Sequence, residues 1–278
     1  MRRRVAVILN PTSGRARGKF LTREVLYRLT QRGTLVSLHT TRAAGEARSL
    51  AAELGPEVDV LVCVGGDGTL NEIVNGLQDI QAKTPIDIFP TGTANVVAKE
   101  LHLPTSFRQL AAIAVHGPLR CLDLGVATNG KSGPRRFTMC AGAGLDATIV
   151  DKVSRKRSED GISMLSYFVP TVMTLLRYDF PTMDVAADGR PVADGVTFAL
   201  IGNMRRYGGP FRFFNKAVPD DGFLDVCCLK GRRRIDLLRY AIGTLRRNLP
   251  DLPDVAYARA SVIELRAASE VPVQVDGD

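Results

Sequence analysis

A glycine-rich turn carrying one carboxylate follows the apolar run Val60–Val64. The turn contains Gly65, Gly66, Asp67, Gly68 and Thr69. The apolar run is typical of a strand that is buried on both faces of a parallel sheet. Glycines allow a tight turn and a close approach of a ligand to the backbone, which a Cβ atom would obstruct. From Leu70 onward the apolar residues recur at helical spacing, so the turn leads into a helix N-terminus.

A helix N-terminus binds anions, most often phosphate, because its backbone N–H groups and its dipole favour negative charge. The carboxylate of Asp67 would repel such an anion unless a divalent cation came with it. The turn therefore predicts a magnesium–nucleotide site. A glycine-rich turn without a ligand is the alternative, and the concentration of Gly, Asp, Thr and Asn in seven residues makes it the weaker one.

Two further strand ends carry small polar residues. The apolar run Val5–Leu9 is followed by Asn10, Pro11, Thr12, Ser13 and Gly14. The run Ile86–Phe89 leads into a turn that contains Thr93 and Asn95. Open α/β sheets bind ligands at the carboxyl ends of their strands. Three such ends in one domain therefore strengthen the prediction of a site at this edge.

Three stretches of the first half resemble the catalytic domain shared by diacylglycerol kinases, sphingosine kinases and the soluble bacterial lipid kinases. They are NPTSG (10–14), VGGDGTLNEIVNG (64–76) and PTGTANVVAKEL (90–101). Three later stretches resemble the second domain of the same family, namely AGAGLDATIV (141–150), the run from Gly202 to Leu229, and the closing VQVDGD (273–278). The resemblance extends from Val5 to the last residue.

Alternating strand and helix patterns over residues 5–125 predict a parallel sheet with right-handed crossovers, and the residues after Gly125 are β-rich. The resemblance implies an α/β N-terminal domain with an open parallel sheet, like NAD kinases and phosphofructokinases, and a β-sandwich C-terminal domain. We expect a nucleotide-binding domain over 1–125 and a lipid-substrate domain over 126–278. Because family members normally continue with more strands, the chain is expected to be truncated at its C-terminus.

The β-rich half contains several candidate elements. The predicted strands include Phe137–Cys140, Met183–Ala187, Val196–Ile201, Leu224–Leu229 and Ser261–Leu265, and the predicted helices are Ile162–Arg177 and Arg234–Arg247. The Arg232–Arg234 cluster is interpreted as a solvated turn, with membrane contact as the alternative.

The resemblance implies that ATP, brought with Mg²⁺, is bound by the motif residues, and that Asp67 also takes part in catalysis. The nucleotide-site residues are Asn10, Pro11, Thr12, Ser13, Gly14, Thr41, Gly65, Gly66, Asp67, Gly68, Thr69, Leu70, Asn71, Thr93 and Asn95.

The resemblance also implies a structural magnesium and a general base in the second half. The metal ligands would be the Asp221 carboxylate and the carbonyls of Val218 and Phe223, since hard oxygen ligands suit magnesium. An ordinary acidic turn is an equally weighted alternative. The family's base is the Glu of a closing D-G-E motif, and Asp278 holds the matching position here.

The function implied is ATP-dependent phosphorylation of a lipid hydroxyl in phospholipid biosynthesis. Diacylglycerol, which would give phosphatidic acid, is the first expectation, and a sphingoid or related glycerolipid is the second. A soluble-substrate kinase of the NAD kinase type is an alternative, although NAD kinases lack the run 202–225. A non-catalytic nucleotide- or lipid-binding protein is another, suggested by the short C-terminus.

Composition agrees with a two-domain protein that meets anionic partners. The 278 residues are 45% hydrophobic with a net charge of +8, which fits anionic lipid surfaces or nucleotides. Neither an aromatic-basic RNA motif nor zinc-type Cys/His spacing supports nucleic acid as a partner.

Cysteines and apolar run lengths bear on the compartment. The five cysteines are interpreted as buried thiols of a reducing compartment. Since no apolar stretch reaches about 18 residues, we expect a cytoplasmic protein, peripheral at the inner membrane face. A homodimer is an open alternative to a monomer.

Overall fold

The protein is described by a computed structural model over residues 3–13, 18–129, 133–144, 147, 180–207 and 211–277. Gly14, Asp278 and the predicted helix Ile162–Arg177 lie outside these residues. The chain divides into two compact units, Met1–Cys121 and Leu122–Asp278. The sequence placed the boundary near Gly125.

Strands and helices alternate along the first unit. They are β1 (Arg4–Leu9), α1 (Gly18–Thr30), β2 (Leu35–Thr40), α2 (Glu46–Leu54), β3 (Val60–Gly65), α3 (Asp67–Asp79), β4 (Ile86–Pro90), α4 (Val96–Glu100) and α5 (Phe107–His116). The four strands form one parallel sheet in the order β2-β1-β3-β4. The predicted α/β domain with an open parallel sheet is confirmed.

The core of the first unit is built on the two central strands. Every residue of β3 is buried, as expected for a strand covered on both faces. Val62 and Val64 pack with Leu29 of α1, Phe89 of β4 and Leu110 of α5 in one apolar cluster. Each such side chain contributes about 1.5–3 kcal/mol when it is fully buried. This packing holds the carboxyl ends of the strands in place.

The second unit is antiparallel. Its elements are β5 (Gly125–Ala127), β6 (Arg135–Phe137), β7 (Cys140–Gly144), β8 (Met183–Ala187), β9 (Arg190–Val196), β10 (Phe198–Gly202), β11 (Arg206–Tyr207), β12 (Phe211–Arg212), β13 (Leu224–Leu229), α6 (Arg234–Arg246), β14 (Val255–Ala260), β15 (Ile263–Ala267) and β16 (Val273–Val275). A five-stranded sheet has the order β14-β13-β10-β7-β16 and a three-stranded sheet the order β15-β8-β9. Side chains of both sheets share one apolar core, so the predicted β-sandwich is confirmed.

The predicted strand Phe137–Cys140 is interrupted in the structure. β6 ends at Phe137 and β7 begins at Cys140. The backbone N–H groups of Thr138 and Met139 donate to the carboxylate of Asp276 at 2.7 and 2.9 Å. Because a side chain satisfies these donors, the two residues form a corner between strands.

The predicted strand Ser261–Leu265 also begins late, at Ile263. Its first two residues form a turn, since the N–H groups of Ser261 and Val262 donate to Asp188 at 3.1 and 2.9 Å. The preceding strand β14 was missed by the sequence reading. In both places one carboxylate redirects the chain.

Four of the five cysteines are buried, and Cys121 is exposed. Burial raises the pKa of Cys227 and of Cys228 to about 12, so these thiols stay protonated and unreactive at neutral pH. The expectation of five buried thiols was wrong for Cys121, because this residue lies in the irregular segment between α5 and β5.

A buried carboxyl, Asp87, lies on β4. It is 7% exposed, and its Oδ2 atom has no hydrogen-bond partner among the described residues. Burial raises the pKa of Asp87 to about 7, and a hydrogen bond from the Ile88 backbone opposes this shift. The folded pKa thus lies above the unfolded value of about 3.9. The stability that this group contributes is therefore complete below about pH 4 and is lost as the pH rises to about 7.

Asp87→Asn should remove this loss, because the amide cannot ionise. We expect the free energy of unfolding of the variant, relative to the parent, to rise by about 1–3 kcal/mol between pH 5 and pH 8. Urea titrations at both pH values measure the difference. A difference that does not change with pH would show that Asp87 is charged in both states.

Candidate active site

The four strands of the first unit end at one edge of the sheet, and main-chain bonds carry their pairing into the following loops. The N–H of Asn10 donates to the Val64 carbonyl at 3.0 Å, and the N–H of Thr91 donates to the Gly65 carbonyl at 2.9 Å. β2 and β3 lie on opposite sides of β1, so the chain changes direction across the sheet between β1 and β3. Open α/β sheets bind ligands beside such a point. We call the segments 10–13, 65–69 and 90–95 the strand-end loops.

Asp67 connects two of the strand-end loops. Its Oδ2 atom accepts the N–H of Val96 at 3.0 Å, and its Oδ1 atom accepts the N–H of Val97 at 3.1 Å. These N–H groups belong to the first turn of α4 and have no partner inside the helix. The sequence assigned Asp67 to phosphate and magnesium. In the structure both of its oxygens hold α4 against the turn that precedes α3.

The glycines of the turn differ in what surrounds them. A Cβ atom on Gly92 would lie 2.6 Å from the Cα of Gly66, and a Cβ atom on Gly65 would lie 2.6 Å from the Cβ of Thr69. The sequence attributed the absence of a Cβ atom in the turn 65–69 to ligand approach. In the structure, this absence also leaves room at Gly65 for the Thr69 side chain, and Gly92 lets the loop after β4 pack on Gly66. At Gly68 a Cβ atom would meet no described heavy atom within 4 Å. Gly68 is therefore the glycine of the turn at which a ligand can approach.

Asn10 holds the loop after β1 against α3. Its side-chain amide donates to the Thr69 hydroxyl at 3.0 Å. Its Oδ1 atom accepts the N–H and the hydroxyl of Thr12 at 3.0 and 2.8 Å. The hydroxyl of Thr91 donates to that of Ser13 at 3.1 Å. These bonds join predicted site residues of the first two strand-end loops, and Thr91, which was not predicted, adds the third loop.

Besides Thr69, which is 6% exposed, two predicted site residues have buried side chains. Thr41 is 6% exposed and its hydroxyl donates to the Leu9 carbonyl at 3.4 Å. Leu70 is 4% exposed and lies in the apolar face of α3. In the conformation described, neither side chain reaches the surface of the strand-end loops.

The remaining predicted residues lie on the loops after β1 and β4 and on α3. Asn95 has the left-handed φ of 48°, its amide donates to the Gly92 carbonyl at 2.8 Å, and its Oδ1 atom is buried without a hydrogen-bond partner among the described residues. Thr93 is exposed, and Pro11 is exposed on the first loop. Asn71 accepts the amide of Asn75 at 3.0 Å. Asn95 thus shapes its own turn, whereas Thr93 faces solvent.

Sequence reasoning missed Glu72. Its two carboxylate oxygens accept the N–H groups of Gly45 and Ala47 at 2.9 and 3.1 Å, which satisfies the N-terminus of α2. Glu72 thereby positions the segment that follows Thr41. Glu72 lies inside the motif 64–76, and this position could have indicated that it is a functional residue.

Asp276 organises the closing segment of the second unit. Its carboxylate accepts the N–H groups of Thr138, Met139 and Cys140 at 2.7, 2.9 and 3.0 Å, and the Thr138 hydroxyl at 2.9 Å. Gly277 follows in the left-handed region with φ 93°. These bonds fix the chain immediately before the proposed base, Asp278, which itself lies outside the described residues.

Asn203 and Asp123 join the same region to the turn 218–223. The fully buried amide of Asn203 donates to the carbonyls of Asp123 and Thr138 at 2.7 and 3.0 Å. The carboxylate of Asp123 accepts the N–H of Gly222 at 2.6 Å. Sequence reasoning did not single out either residue, although Asn203 belongs to the run 202–229 that resembles the family.

The turn around Asp221 fits magnesium in the type and number of its ligands. One carboxylate and two carbonyls are enough, because Mg²⁺ usually keeps several waters. Asp221 also accepts the N–H of Phe223 at 3.1 Å and forms an ion pair with Arg259. Among the described residues no group of three or more His, Cys, Asp or Glu could hold a metal ion. A magnesium at this turn would therefore share the carboxylate with Arg259 or displace it.

Two family models match the chain in succession. Residues 4–127 match the diacylglycerol kinase catalytic domain, and residues 140–278 match the YegS C-terminal NAD kinase beta sandwich-like domain. The chain belongs to the diacylglycerol kinase catalytic-domain family. It is a phosphotransferase of the lipid kinase type, and ATP is the substrate that such a kinase requires.

Similar proteins align over almost the whole chain. A diacylglycerol kinase of Bacillus subtilis (strain 168) is 29% identical over 99% of this chain and 90% of that protein. A diacylglycerol kinase of Staphylococcus carnosus (strain TM300) is 27% identical over 100% of this chain and 89% of that protein. A crystal structure of a diacylglycerol kinase from Bacillus anthracis strain Sterne has a TM-score of 0.76, with 21% identity over 99% of this chain and 89% of that one. This last likeness concerns the fold.

Asp276→Ala should destabilise the second unit, because it leaves four donors without their acceptor. We expect a loss of about 2–4 kcal/mol in the free energy of unfolding. Asp276→Asn, which keeps one acceptor oxygen, should cost less. Denaturant titrations with both variants test this order of stability. Equal stability of the parent and Asp276→Ala would show that the hydrogen bonds to Asp276 contribute nothing to the free energy of unfolding.

Proposed function

We propose that this kinase transfers the γ-phosphoryl group of ATP to the hydroxyl of diacylglycerol, forming phosphatidic acid. The acceptor oxygen bonds to the γ-phosphorus, the bond from that phosphorus to the bridging oxygen breaks, and ADP leaves. The acceptor proton passes to a carboxylate. The observation that carries the proposal is the set of strand-end loops joined by Asp67, in a chain whose relatives are diacylglycerol kinases over nearly their full length. A sphingoid or related glycerolipid is the competing acceptor.

The phosphates of ATP would lie at the N-terminus of α3. Its N-cap residue is Gly66, which has no side chain that could cap this end. The N–H groups of the first turn and the helix dipole therefore favour an anion there. The half-buried side chains of Asn10 and Ser13 lie on the adjoining loop and supply polar groups. Because phosphoryl transfer is catalysed mainly by positioning and charge neutralisation, loops that are joined by hydrogen bonds support this role.

Gly68→Ala tests the phosphate position without disturbing the packing. Its added Cβ meets no described atom, and alanine within a helix is more stable than glycine by about 0.5–1 kcal/mol. We expect unchanged or higher stability together with ATP affinity reduced by about tenfold or more, since the methyl group would lie where a phosphate approaches. Isothermal titration with Mg-ATP and thermal melting measure the two effects.

Two variants serve as controls for Gly68→Ala. Gly133→Ala also adds a Cβ that meets no described atom, so it should leave ATP affinity unchanged. Gly66→Ala places a Cβ 3.2 Å from the Cα of Gly92 and should lower stability. Parental ATP affinity in a folded Gly68→Ala variant would place the phosphates elsewhere.

Magnesium would act in two places, with ATP and at the Asp221 turn. We infer that the second ion, held by Asp221 and the carbonyls of Val218 and Phe223, stabilises the fold. Added MgCl₂ should then raise the melting temperature of the parent and not that of Asp221→Ala. Arg259→Gln removes the competing cation, so the same MgCl₂ should have a larger effect on it. An equal magnesium shift in all three proteins would make this an ion-paired turn without a metal.

The proposed base is Asp278. A positioned base contributes about 10²–10⁴-fold to a rate, so Asp278→Asn should lower turnover by that order and leave ATP binding intact. The assay uses labelled ATP with diacylglycerol in mixed micelles, and a sphingoid base and NAD in parallel. Phosphorylation of NAD alone would indicate a soluble-substrate kinase, and the absence of any transfer would indicate a binding protein. Full turnover of Asp278→Asn would remove this residue from the mechanism.

The site of action follows from the acceptor. Diacylglycerol resides in a bilayer, whereas ATP is dissolved in the cytoplasm. We infer that the kinase is cytoplasmic and works at the inner membrane face.

A further inference from the structure

Helix α6 presents its apolar side to solvent. Four large apolar residues are exposed, namely Ile235 (63%), Leu238 (57%), Ile242 (40%) and Leu245 (68%). Their spacing of three, four and three residues places them on one face of the helix. A helix of a globular protein normally turns such a face towards the core. The orientation of α6 is the reverse.

Polar contacts hold the other face of α6 on the second unit. The hydroxyl of Tyr240 accepts the N–H of Gly231 at 2.7 Å and donates to Asp254. Arg239 forms an ion pair with the same carboxylate. Tyr240 and Thr244 are buried at 5% exposure each. These contacts fix the rotation of the helix about its axis. The apolar face therefore points to solvent as a consequence of how α6 packs on the second unit.

The surroundings of this face are strongly basic. Between Lys230 and Asn248 the chain has seven basic residues and one acidic residue, Asp236. The Asp236 carboxylate accepts the N–H of Arg233 at 3.0 Å at the start of the helix, away from the apolar face. Exposed arginines lie at both ends of α6, at 232–234 and at 246–247. The exposed face thus combines apolar side chains with positive charge.

We propose that α6 docks this kinase on the surface of an anionic phospholipid bilayer. The four apolar side chains enter the boundary between headgroups and acyl chains, and the flanking arginines bind lipid phosphates. This is the pattern of helices that lie in the membrane interface. Large exposed apolar patches generally mark such interaction sites.

The dimensions of α6 agree with a helix that lies flat. Its 13 residues extend about 20 Å, which is less than the roughly 30 Å of a bilayer's hydrocarbon core. No helix among the described parts of the chain is long and apolar enough to cross a membrane. Docking would be reversible, because a short amphipathic helix binds through a limited apolar area and through charge.

A second copy of the chain fits this face less well. Two α6 helices in contact would bring two basic segments together, and like charges at an interface are unfavourable. An anionic surface has the complementary charge.

The proposal deepens the proposed function, since a bilayer surface is where a diacylglycerol kinase meets its acceptor. Its test measures binding without ATP and so does not depend on catalysis. Vesicles of phosphatidylcholine alone and of phosphatidylcholine with phosphatidylglycerol are floated with four proteins. They are the parent, Leu238→Gln/Leu245→Gln, Arg234→Gln/Arg246→Gln, and the control Leu119→Gln/Val262→Gln, whose residues are 73% and 55% exposed outside α6.

We expect the parent and the control to float with the anionic vesicles and not with phosphatidylcholine alone. Both α6 variants should bind about tenfold more weakly, and salt should weaken binding of the parent. Equal flotation of the Leu variant and the control, or no flotation of the parent, would overturn the proposal. So would a parent dimer in sedimentation velocity that the Leu variant alone dissociates.

Kinase assays with a short-chain diacylglycerol in detergent micelles separate this proposal from the proposed function. The α6 variants should keep parental turnover there, because docking on a bilayer is not needed. Vesicle binding by a parent that phosphorylates no lipid would contradict the proposed function and leave the docking surface standing. If the Leu variant lost its activity in micelles, the proposal that α6 serves only in docking on the membrane would be overturned.

Discussion

Both oxygens of the Asp67 carboxylate accept backbone N–H groups from the start of α4, and the arrangement of the strand-end loops depends on this pair of bonds. Hydrogen bonds to a charged group contribute about 1.5–3 kcal/mol each. They hold two loops so close that the backbones of Gly66 and Gly92 come into contact. The amide of Asn10 then adds the loop after β1. The N-terminus of α3 consequently lies between loops that hydrogen bonds and close backbone packing hold together.

The second unit uses the same physical device. A carboxylate accepts several backbone N–H groups in two places. Asp276 holds the corner between β6 and β7, and Asp188 holds the turn before β15. Asp276 already accepts four hydrogen bonds through its carboxylate. Its role is to position the segment that carries Asp278. The acids of the motifs therefore divide into those that shape loops and those proposed for the chemistry.

Periodicity predicted the parallel sheet and the position of most strands, because these follow from local apolar patterns. The β-sandwich was implied by the family resemblance. The sequence also predicted that residues 10–13, 65–69 and 93–95 lie at one edge of the sheet. It did not predict that Asp67 and Glu72 bind helix N-termini, since those contacts join residues about 30 positions apart. The corner at Thr138 was missed for the same reason, because its partner is 138 residues away.

The most direct test of the account is a titration of the ¹⁵N-labelled protein with Mg-ATP, followed through the backbone amide signals of the strand-end loops. If the phosphates bind at the N-terminus of α3, the amides of Gly68 and Thr69 should show the largest saturable shifts, together with that of Ser13. Saturable binding that leaves these three amides unshifted would contradict the assignment of the nucleotide site.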